Sequence, residues 1–266
     1  MGKQIENYSL QVELGSGVFS RVYKAVNVLT KQQVAIKMVK ADKFKEVPKL
    51  EEGTINEINT LTALKPCPNI IRYFDMLKTV NNFYFVYEYC NGGTLEKELK
   101  KQGALGEKRS LIYFKQLINA FKVLAENHIM HRDVKPENIL IHDGTLKVAD
   151  FGFCKPLEHQ DGMAETMLGS PIYMAPEVLH GKPYTMKTDV WSLGVVLYRM
   201  IFGFCPFESS NIGKLILMLN ENPLRIPESP KISPVLEELI TRMLTKEPQN
   251  RADWSEVFRF EINDFG

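Results

Sequence analysis

Eight consecutive residues, His131-Arg132-Asp133-Val134-Lys135-Pro136-Glu137-Asn138, place two carboxylates, two cations, an imidazole and an amide in one short stretch. Downstream, Asp150-Phe151-Gly152 adds a further carboxylate behind the strand-like run Leu146-Lys147-Val148-Ala149. Magnesium prefers hard oxygen ligands and shares its shell with substrate phosphates, so it asks the protein for only one or two carboxylates and an amide. Asp150 and Asn138 meet that demand. Asp133 is then left to orient an attacking hydroxyl and accept its proton, and Lys135 to meet a transferring phosphoryl group. Any one of these residues alone also reads as a loop-stabilising Asx or a solvated charge. The set, at these spacings, carries the reading.

A second set lies upstream. Gly15-Ser16-Gly17-Val18-Phe19-Ser20 sits between two strand-like runs. Glycines let the backbone approach phosphates, and its N–H groups bond to them. Alone the pattern is weak, and a plain hairpin turn explains it equally well. A dinucleotide fingerprint fails on context, because a strand and not a helix follows. Lys37 ends Val34-Ala35-Ile36-Lys37, where a lysine is commonly a solvated strand end. Its other reading is a cation for phosphates, held by Glu57 on the next helix. Glu57 lies among other acids and equally reads as a surface residue.

The elements that must position these residues change character along the chain. Tyr8–Glu13, Val34–Lys37 and Phe83–Tyr87 are rich in β-branched or aromatic residues and read as strands. Glu51–Leu64 has helical spacing, with Ile55, Ile58, Leu61 and Leu64 predicted on one face and Pro66 and Pro68 ending it. Asn91-Gly92-Gly93 is the clearest break. After it the pattern is mostly helical. Ser110–His128 places Leu111, Phe114, Leu117, Ile118, Phe121 and Leu124 at helical intervals, and Asp189–Phe202 is apolar on nearly every side, as in a buried helix. Ser233-Pro234 starts another helix. The expected architecture is α+β and bilobal. A small β-rich lobe with one key helix (1–90) and a larger helical lobe (91–266) flank a cleft, within one domain over 1–266.

Composition narrows the function classes. The 266 residues carry 33 basic and 32 acidic side chains, a net charge of +1, which argues against nucleic-acid binding through an overall positive field. Cys67, Cys90, Cys154 and Cys205 form no CxxC pair and read as reduced thiols of a cytoplasmic protein. No apolar run is long enough to span a bilayer. Met1-Gly2 lacks the Ser or Thr that N-myristoylation wants at the sixth residue, which is Glu6.

With these motifs in order (GSGVFSRV, VAIK, HRDVKPEN, DFG and Ala175-Pro176-Glu177) the chain resembles the eukaryotic protein kinase family from about Tyr8 to about Phe260. The resemblance implies ATP and Mg²⁺. It implies that Leu14, Gly15, Gly17 and Ser20 cover the nucleotide, although Ser20 stands where the family has a third glycine. Lys37 would hold the α- and β-phosphates and pair with Glu57. Val22, Ala35 and Leu140 would sandwich adenine, the backbone at Glu88 and Cys90 would bond its edge, and Tyr87 falls at the gatekeeper position. Asp133 would be the catalytic base, with Lys135 beside it, and Asn138 and Asp150 the metal ligands. Glu177 resembles the acid that pairs with Arg251, Asp189 the one that braces the catalytic loop, and His131 a structural brace for Phe151.

Lys135 two residues after Asp133 resembles the serine/threonine branch. Phe153 after the DFG glycine goes in the family with serine over threonine, and Thr94 replaces an acid common in arginine-selecting relatives. Protein substrates without a strong basic requirement follow. Arg132 and Lys155 invite a phosphate that orders the loop, with Thr166 as its acceptor. Transient self-association for phosphorylation in trans is implied. The runs Phe121–His131, Ala149–Phe153 and Gly169–Glu177 look like the Unc-51-like, autophagy-initiating kinases, with calcium/calmodulin-dependent and polo-like branches as alternatives. A pseudokinase scaffold would lack Lys37, Asp133 or Asp150, and all three are present. A small-molecule phosphotransferase is disfavoured by the complete substrate-loop segment.

Overall fold

The computed structural model describes residues 4–156 and 170–260. Strands β1 (Gln4–Ile5), β2 (Tyr8–Ser16), β3 (Ser20–Asn27) and β4 (Gln33–Lys40) are followed by helices α1 (Ala41–Glu46) and α2 (Pro48–Ala63), then strands β5 (Tyr73–Lys78) and β6 (Asn82–Glu88). These six strands form one antiparallel sheet in the order β1-β2-β3-β4-β6-β5. Its faces differ. Residues directly opposite in an antiparallel pair share a face, and alternate residues along a strand do too. One face buries Leu10, Ala25, Val34, Ile36, Tyr84 and Val86 in a small core. The other carries the cross-strand neighbours Val22, Lys37 and Phe85, and Ala35, Tyr87 and Tyr73.

Helix α2 starts three residues earlier than the sequence pattern indicates, with Pro48 at its first position, where a missing N–H costs nothing. Leu64 is extended and ends it. Its predicted inner face needs a correction. Ile55 is 49% exposed, and the buried positions are Thr54, Glu57 and Leu64. Ile58, Leu61 and Leu64 pack on the large core as the apolar spacing predicts, and beside them the buried Glu57 carboxylate takes the place expected of Ile55.

Asn91-Gly92-Gly93 turns the chain into helices α3 (Leu95–Gln102) and α4 (Gly106–Glu126). Gly92 must be glycine: a Cβ there would sit 2.9 Å from Ile141. All six apolar residues expected on the inner face of α4 are buried. Short strands β7 (Ile129–Met130), β8 (Ile139–His142), β9 (Thr145–Val148) and β10 (Lys155–Pro156) pair as β8-β9 and β7-β10. Helices α5 (Pro176–Leu179), α6 (Lys187–Phe202), α7 (Ile212–Glu221), α8 (Pro234–Met243) and α9 (Trp254–Arg259) complete the chain.

Helix α6 is buried from Thr188 to Phe202 except at Arg199, as its uniform apolarity predicts. It is the pillar of the helical half, packing against α4 and α8. Ser233 caps α8 by accepting from the Leu236 N–H. The large core reaches from these helices through Phe151 to Val39 and Phe85 of the sheet. All four cysteines are free. Among the described residues no helix is long and apolar enough to cross a membrane.

Candidate active site

The catalytic-loop residues converge because a buried acid from another element holds their backbone. Asp189, in the first turn of α6, accepts from the His131 N–H at 2.7 Å through Oδ2 and from the Arg132 N–H at 2.9 Å through Oδ1. Arg132 thereby stays at φ 68, a conformation that L residues with a Cβ rarely adopt. Burial pushes the Asp189 carboxyl above its ordinary range, against the opposing pull of His131 and the two backbone donors. His131 is fully buried, with Nε2 3.1 Å from the Ala149 carbonyl and its ring edge-on to Phe151 at 5.1 Å. This is the bracing role expected of it.

The loop then presents Asp133. Lys135 Nζ donates to both carboxylate oxygens, at 2.9 and 2.7 Å, and Asn138 Nδ2 donates to Oδ2 at 2.7 Å and to the Asp133 carbonyl at 2.9 Å. A 3₁₀ turn over Pro136–Asn138 sets this reach. The Asn138 carbonyl in turn accepts from the Ala149 N–H at 2.8 Å, which couples the loop to the strand leading to Asp150.

Asp150 itself sits at φ 65 and makes no hydrogen bond or close ion pair among the described residues. With its donors committed to Asp133, the Asn138 amide leaves its side-chain oxygen free. A half-buried, unpaired carboxylate and a free amide oxygen fit a hard divalent cation that takes its remaining ligands from phosphates. Among the described residues no three His, Cys, Asp or Glu side chains cluster as a self-sufficient metal site. The donor set thus suits a metal that arrives with a phosphorylated ligand.

Across the cleft, Lys37 Nζ lies 2.9 Å from Glu57 Oε2, with Glu57 only 4% exposed. The plain reading of Glu57 as a surface acid is overturned. Burial lowers the Lys37 pKa, but Glu57 and then Asp150 outweigh it, and the ammonium ends above its ordinary range. Val22 and Ala35, half-buried, lie on the same sheet face as Lys37 and Tyr87. Gly17 N–H donates to the Ser20 carbonyl at 2.8 Å, tightening the β2–β3 turn, and the space beside Gly15 is open. Leu14 is 38% exposed at the mouth. Leu140 bridges to Thr94 on the other wall. The Glu88 carboxylate is 2.9 Å from Lys147 Nζ, while the Cys90 N–H has no protein acceptor among the described residues. Burial pushes the Cys90 thiol up to about 12, so it stays neutral.

One further expectation is met, and another falls partly outside the described residues. Glu177 and Arg251 form a buried bidentate pair at 2.7 and 2.8 Å. Arg132 stacks on the Tyr184 ring at 5.1 Å, and its Nε is buried without a partner. The Lys155 backbone pairs with Met130 in β10, whereas its side chain and Thr166 lie outside the described residues.

One positioning residue escapes the sequence reading. Gly53, one turn before Glu57, lies against Gly152 of the DFG segment: a Cβ at Gly53 would stand 3.3 Å from the Gly152 carbonyl. The available signal was a glycine inside a helical pattern, which costs stability and so asks for a packing reason.

A protein kinase domain model matches residues 8–261. The chain is 35% identical over 264 residues to serine/threonine-protein kinase atg1 of Dictyostelium discoideum, covering 96% of this chain and 39% of that protein. It is 38% identical over 248 residues to CBL-interacting protein kinase 11 of Oryza sativa subsp. japonica (92% and 49%), and 35% identical over 263 residues to serine/threonine-protein kinase ATG1c of Arabidopsis thaliana (97% and 35%). The chain thus spans between about a third and a half of the length of these curated relatives.

Proposed function

The chain belongs to the protein kinase family, and on that premise we propose that it transfers the γ-phosphoryl group of ATP to serine and threonine hydroxyls of proteins. The observation that carries this reading is the Asp133 carboxylate, held by Lys135 and Asn138 opposite an intact Lys37–Glu57 pair. Asp133 orients the acceptor hydroxyl and takes its proton as the new O–P bond forms and the bond from the γ-phosphorus to the β–γ bridging oxygen breaks. Lys135 meets the charge on the transferring group. Lys37, fixed by Glu57, holds the α- and β-phosphates. Asn138 and Asp150 hold Mg²⁺, which, when bound, neutralises charge on the phosphate oxygens. Gly15, Gly17 and Ser20 cover the phosphates, Leu14, Val22, Ala35 and Leu140 enclose the base, Tyr87 lies behind it, and the Glu88–Cys90 backbone bonds its edge. The ordered lysine, base and metal acid favour turnover over a pseudokinase role.

The finer assignments extend this reading. One kinase domain spans the chain, with lobes meeting at 90–91. Serine is preferred over threonine, on Phe153. The branch is autophagy-kinase-like, on the identity to the atg1 and ATG1c kinases; the similar identity to CBL-interacting protein kinase 11 keeps another branch open, with the calcium/calmodulin-dependent and polo-like branches as the alternatives. Four free thiols suit a cytoplasmic setting. Activity rises when Thr166 is phosphorylated by another copy and its phosphate meets Arg132 and Lys155. A degenerate peptide screen with Mg-ATP tests the reading. Incorporation at serine, lost in Asp133→Ala, is expected, and a wild-type chain that phosphorylates nothing contradicts it. Thr166→Ala should lower the rate at least several-fold, and full activity in that variant sinks the activation step.

A further inference from the structure

Tyr87 is nine-tenths buried, and its hydroxyl is sealed from solvent without a hydrogen-bond partner. An unbonded buried hydroxyl costs on the order of 1–3 kcal/mol, so it needs a reason. The sheet register supplies one. Tyr87 stands opposite Ala35 on β4 and opposite Tyr73 on β5, on the same face as Lys37 and Phe85. Its ring sits edge-on to Tyr73 at 5.6 Å, which limits where the hydroxyl can go. That face looks onto α2, whose buried acid is Glu57. Glu57 commits Oε2 to Lys37, and the Tyr87 hydroxyl approaches the Glu57 carboxylate without a fully formed hydrogen bond. After burial itself, Glu57 is the strongest influence raising the Tyr87 phenol. A buried donor whose bond is not fully formed thus stands beside a buried carboxylate.

We propose that Tyr87 is a positioning residue for the nucleotide site: its O–H completes a hydrogen bond to the Glu57 carboxylate when the cleft closes, and so latches α2 and the Lys37–Glu57 pair in place. The inference rests on the kinase reading of the site. A size-only role for the ring at the back of the cleft would need no hydroxyl. The latch needs the hydroxyl and nothing more of tyrosine than phenylalanine also has. It gives the Glu57 carboxylate a second polar partner beside Lys37.

The decisive variant is Tyr87→Phe, which keeps the ring and deletes the donor. Its kcat/KM for Mg-ATP should fall on the order of tenfold, the usual worth of a hydrogen bond to a charged group. Hydrogen exchange of the α2 amides should quicken in the presence of Mg-ATP, while the melting temperature stays within a few degrees of wild type. In combination with Glu57→Gln the two losses should be strongly non-additive, because both remove one linkage. Tyr87→Phe that matches wild type in both kcat/KM and α2 exchange overturns the latch, as do losses that add fully in the double variant. Should the wild-type chain bind Mg-ATP but fail to transfer phosphate, the kinase reading fails alone; the latch is still judged by α2 exchange.

Discussion

The two walls of the cleft are held by different means. On the helical side the catalytic loop is fixed more than once. Asp133 receives Lys135 and Asn138, the loop backbone hangs on Asp189, and His131 bonds Ala149 and packs on Phe151. On the sheet side Lys37 depends on a single 2.9 Å ion pair with a helix whose buried stripe includes Thr54 and Glu57 and whose Ile55 faces solvent. The difference teaches where control can act. Redundant bonding makes the catalytic loop insensitive to small shifts, whereas the placing of Lys37 against α2 is lost with one ion pair.

The sharpest way to break the comparison is to attack the helical side at its scaffold. Glu177→Ala leaves Arg251, 1% exposed, without its partner. An uncompensated buried charge costs about 3–5 kcal/mol, so denaturant unfolding should show that loss. On the sheet side Glu57→Gln, which leaves the half-buried Lys37 a neutral acceptor, should cost clearly less stability. It should lower kcat/KM for Mg-ATP by roughly ten- to a hundredfold, the range for a lost charged hydrogen bond of about 1.5–3 kcal/mol. Equal stability losses in the two variants would erase the contrast.

Gly53→Ala sharpens it further. Alanine favours a helix interior over glycine by about 1 kcal/mol, but here the methyl group would crowd the Gly152 carbonyl at 3.3 Å. Stability should hold or rise slightly while turnover drops several-fold, as steady-state kinetics beside calorimetry would reveal.

The smallest effect concerns Glu96 on α3. Burial raises its carboxyl, but Arg199 and then Lys100 outweigh burial and hold it below the ordinary 4.5. A depressed carboxylate adds stability that is complete above pH 4.5 and drains away as pH falls through the native value. Acid unfolding of Glu96→Gln should therefore differ from wild type near neutrality and converge with it at low pH.

Much of the catalytic loop was legible in the sequence because its chemistry lies in eight consecutive residues. Helix α6 was legible because burial on all sides leaves one unambiguous signature. The inner face of α2 was misread at Ile55. Its orientation is decided by Glu57 meeting Lys37, a contact between residues twenty apart that apolar periodicity cannot register. Gly53 against Gly152 and Tyr87 beside Glu57 were hidden for the same reason: each is a relation between elements and not a property of one. Short α1 and α5 lack enough turns for a periodic signal.

The most direct test of the central claim separates binding from transfer. Mg-ATP affinity and single-turnover phosphoryl transfer to a serine peptide would be measured for the wild type and for Asp133→Ala. The expected result is similar affinity, with transfer slowed by about 10²–10⁴ through loss of the base. Transfer at the wild-type rate in Asp133→Ala would contradict the assignment of Asp133, and with it the reading of the whole cleft.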